Sequence, residues 1–159
     1  MKTTINGFEV LFDREDLFTL MEYPWRPYRA KHDLVYLKCT PYSKDGPKTL
    51  AFHRIVSGAT KGCFVDHANG NTLDNRRVNL RICSMAENNR NKRSNRKGSI
   101  AGYKGVSYVP QAYKDKPWQA SIQVDKKRIS LGYYADPKSA HDAYCVASEK
   151  YHGEFGRTE

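Results

Sequence analysis

The first fifty residues alternate short apolar runs with turn-rich stretches. Phe8 to Phe12 and Leu34 to Leu37 read as short strands, Ser43-Lys44-Asp45-Gly46-Pro47 as a turn, and the region near Asp16 to Met21 as a brief helix. Leu50 to Val56 and Cys63 to Val65 look like further strands, set apart by Ser57-Gly58 and Lys61-Gly62. After a polar loop from Ala68 to Asn79, Leu80-Arg81-Ile82-Cys83 resumes a strand. Ser84-Met85-Ala86-Glu87 then has the spacing of a capping box and predicts the start of a short helix.

Asn88 to Gly102 is almost free of large apolar side chains and reads as a linker. Beyond it the pattern becomes regular. Val106 and Tyr108, then Trp118, Ala120, Ile122 and Val124, then Ile129 and Leu131 alternate with polar residues, which predicts three antiparallel strands with one apolar face. Asp136-Pro137 starts a helix that places Ala140, Ala143, Tyr144, Ala147 and Tyr151 on one face and stops at Gly153. That helix should cover the apolar side of the sheet and leave the other side open. The parts suggest an α+β chain of three segments: 1–89, a linker at 90–102, and 103–159.

Charge sharpens this division. The 159 residues carry 27 Lys and Arg against 17 Asp and Glu, a net +10, which favours a polyanionic partner. More than half of that excess lies in residues 61–102, where Arg90, Lys92, Arg93, Arg96 and Lys97 follow one another with no acid between them. A charge run can equally be a solvated surface, so its meaning depends on its neighbours. Cys39, Cys63, Cys83 and Cys145 form no C-x-x-C pair, which argues against a zinc ribbon or redox motif and for reduced packing residues. No stretch is apolar enough to span a membrane and no signal-peptide pattern opens the chain, so a reducing cytoplasm is expected.

The segment richest in chemistry runs from Val65 to Leu80. Asp66 and His67 adjoin at a predicted strand end, Asn79 follows twelve positions after His67, and Asn88 nine after Asn79. In a strand–loop–strand–helix arrangement, Asn88 sits one turn into the helix, which can fold back towards Asp66. Two oxygen ligands from different elements, with the remaining positions open to water and phosphate, would suit Mg²⁺ or Mn²⁺. A neutral imidazole beside that ion could serve as a base for phosphodiester hydrolysis. Taken one at a time, an Asp-His pair is more often a strand-end pair, and Asn79 or Asn88 a cap or turn residue.

Together with His53-Arg54-Ile55-Val56, Asp66-His67-Ala68-Asn69-Gly70-Asn71, Asp74-Asn75-Arg76-Arg77, Asn79-Leu80 and Glu87-Asn88-Asn89, the segment resembles the HNH, or ββα-metal, endonucleases of the phage homing type, in the version whose last His is Asn. The resemblance implies a ββα-metal nuclease fold, His67 as general base, Asp66 and Asn88 as metal ligands, and Asn79 tying the loop by side-chain hydrogen bonds without touching substrate. Ala68 departs from the larger aliphatic residue usual there, which concerns packing and not chemistry. His53 and Arg54 read as support for the site, although a strand histidine beside a core can be purely structural.

Residues 103–157 resemble an AP2 DNA-binding domain, a three-stranded sheet packed on one helix. The carrying residues are Tyr103-Lys104-Gly105-Val106, Trp118 to Ile122, Arg128 to Tyr134 and Ala140 to Ala147. Such a module lays its open sheet face in the major groove. Alternation independently points Gln119, Ser121, Gln123, Arg128 and Ser130 away from the helix, and Lys104 is placed to reach phosphate. Ser107, Ser121, Gln123 and Ser130 stand where the plant proteins carry base-reading arginines and tryptophan, so their target is not transferable. Trp118, Tyr133 and Tyr134 read mainly as packing. Arg90, Arg93, Arg96 and Lys97 would lie along duplex phosphates, with Arg76 and Arg77 as further phosphate candidates.

The expectation is a metal-dependent endonuclease acting on double-stranded DNA. It is phage-encoded, acts in the bacterial host's cytoplasm, and is read as a monomer that nicks, with a dimer left open. A non-catalytic AP2-type regulator is the alternative, and an RNA-binding protein a third reading.

Overall fold

The computed structural model describes residues 1–44, 46–91 and 100–158, and divides into two compact units, Met1–Asn88 and Asn89–Glu159. Of the predicted linker, Arg93, Arg96 and Lys97 lie outside the described residues.

In the first unit β1 (Lys2–Ile5) and β2 (Phe8–Leu11) form a hairpin. Its turn places Asn6 and Gly7 at positive φ, the geometry that Asn-Gly turns favour. Helix α1 (Leu17–Glu22) follows, then β3 (Arg26–Arg29), β4 (Val35–Cys39) and the very short β5 (Leu50–Ala51), which form a sheet in the order β3-β4-β5. The strand expected over Leu50 to Val56 ends at Ala51. From Phe52 to Val56 the chain is helical (α2), burying Phe52 and Val56 four positions apart on one side, so a short apolar run that fits either period belongs to the helix. His53 is therefore a helix residue and not a strand histidine.

Val10, Phe12, Trp25, Leu37, Cys39, Phe52 and Val56 make the core. Trp25 meets Phe52 edge-on at 5.2 Å and donates its indole N–H to the Thr19 carbonyl. The antiparallel pair β6 (Phe64–His67) and β7 (Leu80–Cys83) leads into α3 (Met85–Arg90), and the unit boundary falls within that helix. Ser84 and Glu87 form the reciprocal bonds of a capping box at its start.

In the second unit β8 (Val106–Tyr108), β9 (Trp118–Val124) and β10 (Lys127–Tyr134) form an antiparallel sheet in the order β10-β9-β8. Helix α4 (Pro137–His152), capped by Asp136, packs Ala140, Tyr144 and Ala147 against Val106, Ala120 and Ile122. Tyr151, expected on the same helical face, is exposed. Its place is taken by Ser148, which is fully buried. Gly105 lies directly beneath Tyr144. A Cβ there would sit 2.0 Å from the ring, and the backbone is at φ +77°, so only glycine fits.

Strict alternation fails once, in β10. The pairing passes from Ser130↔Ser121 to Gly132↔Ala120, leaving Leu131 as the extra residue of a bulge. Beyond it Tyr134 joins the core beside Trp118, whereas Tyr133 stands on the opposite face. All four cysteines are free, and among the described residues no helix is long and apolar enough to cross a membrane.

Candidate active site

Asp66 and His67 are the last two residues of β6, where the strand gives way to the loop returning at Leu80. Both are largely buried, 6 % and 5 % exposed. The loop between the strands is closed on itself. The Ala68 N–H donates to the Asn79 carbonyl, the Asn69 N–H to Asn79 Oδ1, and Asn79 Nδ2 to the Asp74 carbonyl. Asn79 thus spends its side chain on backbone groups. Asn69 Nδ2 and the Arg76 guanidinium both donate to the buried Asp74 carboxylate, and Arg76 holds that carboxyl below its ordinary range.

The loop is also strapped to the N-terminal hairpin. Leu11 exchanges backbone hydrogen bonds with Leu73 and Asn75, Asp13 accepts from the Arg77 N–H, and Asp16 accepts from the Arg77 guanidinium, which also pairs with Glu15. Arg76 and Arg77 are therefore committed to carboxylates of their own unit.

Three side chains crowd His67. The ring of Tyr36, from β4, lies 6.2 Å away, and that of His53, from α2, 5.3 Å away in an edge contact. Asn75, 1 % exposed, hydrogen-bonds to it. The Asn75 bond raises the His67 pKa, as acceptance of an imidazole N–H by the Asn75 amide oxygen does, so it holds one ring nitrogen in its N–H form. Burial lowers the His67 pKa, opposed by the Asn75 bond and the charges of Asp66 and Asp74. His53 is pushed down to about 3, by burial first and then by His67 and Arg54. Its Nδ1 is buried with no hydrogen-bond partner among the described residues. Arg54 turns the other way and donates to the carbonyls of Cys63 and Thr60, bracing the turn that feeds β6.

Asp66 pairs with Arg81, its direct cross-strand neighbour. Asn88 is half-buried in α3. Its backbone N–H donates to the Ser84 carbonyl in the first turn of the helix. The Cys83 thiol, at the end of β7, is pushed up by burial first and then by the Asp66 carboxylate. Asp66 and Asn88 offer the hard oxygen donors that Mg²⁺ or Mn²⁺ prefers, and the Arg81 guanidinium already satisfies the carboxylate's demand for a cation. Among the described residues no group of three or more His, Cys, Asp and Glu side chains could hold a metal ion, so most ligands of an ion here would come from water and phosphate. The donor set fits such an ion.

In the second unit Gln119, Ser121, Arg128 and Ser130 share one sheet face. Arg128 Nε donates to Ser121 Oγ, and Gln119 Nε2 lies within hydrogen-bonding distance of Ser130 Oγ and Tyr133 OH. Gln123, opposite Arg128, is exposed, and Ser107, opposite Gln119, is half-buried. Tyr133 meets Tyr113 edge-on at 4.8 Å, so this face carries an aromatic pair that simple alternation missed. Lys104 is not a free surface charge. Its ammonium donates to the Arg90 carbonyl, and burial beside Arg157 brings its pKa to about 8. The Arg90 guanidinium pairs loosely with Asp125.

Tyr36 and Asn75 had not been singled out for the site. Val35, Leu37 and Cys39 alternate into the core, which already turned Tyr36 to another surface. Nothing in the sequence separated Asn75 from an ordinary turn residue.

Residues 29–90 match the model of a family described as HNH endonuclease. The segment holds Tyr36, His53, Asp66, His67, Asn75, Asn79 and Asn88, and the match supports nuclease, and hence hydrolase, activity at the level of that family. Neither the curated proteins nor the solved structures gave a match.

Proposed function

We propose that the protein is a metal-dependent DNA endonuclease of the phage or homing HNH type. In this reading a ββα-metal site hydrolyses phosphodiester bonds, and an AP2-like unit selects a preferred duplex site. The observation that carries the reading is His67 at the end of β6, bonded to Asn75 and flanked by Asp66 in a loop closed by Asn79, inside the segment that matches HNH endonucleases.

His67 takes a proton from the attacking water. Its low pKa keeps it neutral at physiological pH, and Asn75 fixes which nitrogen faces away from the loop. Asn79 acts only through the backbone it holds, and His53 with Tyr36 walls the imidazole from bulk water. Asp66 and Asn88 would hold one Mg²⁺ or Mn²⁺, which supplies positive charge to the phosphoryl group and the departing oxygen. A single such site per chain cuts one strand, so a monomer nicks.

In the second unit Gln119, Gln123 and Arg128 read base edges. Ser107, Ser121 and Ser130 shape that face, and Arg90, Arg93, Arg96 and Lys97 add phosphate contacts. Lys104, Arg76 and Arg77, being internally bonded, contribute less. A phage-encoded enzyme working in a bacterial cytoplasm suits four free thiols.

The test is cleavage of supercoiled plasmid by wild type and His67→Ala, with Mg²⁺ or Mn²⁺ and with EDTA, while duplex binding is followed in parallel. Metal-dependent open-circular product from wild type, with binding but no cutting by His67→Ala, supports the enzyme. Tight duplex binding by a wild type that cuts neither plasmid nor host and phage genomic DNA supports a non-catalytic regulator.

A further inference from the structure

We propose that Arg81 is a built-in competitor for the metal ion, a counter-cation that keeps Asp66 oriented and weakens ion binding until DNA is present. The inference rests on Asp66 being a metal ligand. Arg81 lies directly across the β6–β7 pair from Asp66, so the backbone register presents its guanidinium to the carboxylate. The contact is an ion pair between Arg81 Nη2 and Asp66 Oδ2, and both side chains are largely shielded, 16 % and 7 % exposed.

A shielded ion pair is a weak source of stability, because both charges must be stripped of water. Its clearer effect is on what else can reach the carboxylate. The guanidinium holds Asp66 in one orientation and occupies the place beside Oδ2 that a divalent ion would take. One carboxylate cannot hold a +1 fork and a +2 ion at close range without repulsion between them, so the ion binds only as far as it displaces Arg81. The displaced guanidinium then needs an anion, and a backbone phosphate provides one with matching geometry. Ion and DNA would thus bind with positive coupling, each removing part of the other's cost.

The experiment measures Mn²⁺ affinity of the full chain without DNA, by the electron paramagnetic resonance signal of free Mn²⁺, with circular dichroism as the check on folding. Arg81→Gln removes the competing charge and is expected to bind Mn²⁺ on the order of tenfold more tightly than wild type. Arg81→Lys retains a cation and is expected within about threefold of wild type. Asp66→Asn is expected to lose the site in either background. A folded Arg81→Gln that binds Mn²⁺ no better than wild type overturns the proposal. Should that variant fail to fold, an Arg81→Lys protein that binds about tenfold more tightly overturns it as well, because the positive charge would then not be the competitor. If wild-type Mn²⁺ binding is not reduced by Asp66→Asn, the assignment of the metal site itself fails, a result distinct from failure of the Arg81 argument.

Discussion

Acidification should destabilise the first unit through one side chain, His53. In the folded chain its pKa is about 3, whereas an unfolded histidine titrates near 6.5. Between these values the unfolded state binds a proton that the folded state does not, so stability is lost as pH falls from 6.5 towards 3. Integrated from pH 7 to pH 5, the loss is about 2 kcal/mol. With a urea dependence of roughly 1–2 kcal/mol per molar, it would move the midpoint by about 1–2 M. Trp118→Phe leaves Trp25, buried against Phe52, as the only tryptophan, so fluorescence follows the first unit alone. In that background His53→Phe, which keeps a ring between Tyr36 and His67, should lose about 2 kcal/mol less than its parent between the two pH values. Groups distant from His53 are the same in both proteins and largely cancel. Losses equal within about 0.5 kcal/mol would show that His53 is not the buried neutral base described here.

Other consequences are as direct. Asn75→Ala should lower kcat on plasmid by roughly 10- to 100-fold with little change in KM, because it frees the His67 ring without touching substrate. An equal effect on KM would argue for a substrate contact. Gly105→Ala should destabilise the second unit by about 3 kcal/mol, since the new methyl meets the Tyr144 ring at positive φ. Near-ultraviolet circular dichroism during thermal melting would detect this, and an unchanged melt would contradict the packing. Arg128→Ala should weaken binding to a selected duplex by about 1–3 kcal/mol and relax preference at one base pair. Uniform weakening across sequences with a shallower salt dependence would make Arg128 a phosphate contact instead.

The second unit was the more legible in sequence, because its strands show one face to a helix and the other to solvent. Trp118, Ala120 and Ile122 betray the core by alternation alone. Tyr133 escaped because a bulge at Leu131 shifts the count by one, and a period of two carries no mark of an inserted residue. In the first unit Phe52 to Val56 misled, since five apolar-rich residues satisfy a strand and a helix equally. Asp66, His67 and Asn79 stood out by their spacing. The support around them did not. Arg76 and Arg77 look like phosphate ligands when only their charge is counted, yet each faces a carboxylate, one of them distant in sequence. The Arg81–Asp66 pair depends on a strand register that neither segment reveals alone.

The strap between the N-terminal hairpin and the loop sets an order of events during synthesis. Arg77 reaches Asp13 and Asp16 across 64 and 61 residues, and Leu11 bonds the same loop through its backbone. Contacts so far apart in sequence close late, after local turns and hairpins have formed. A nascent chain can therefore pair β1 with β2 well before the loop around His67 is closed, and that loop is fixed only when residues 11–16 have met residues 73–77.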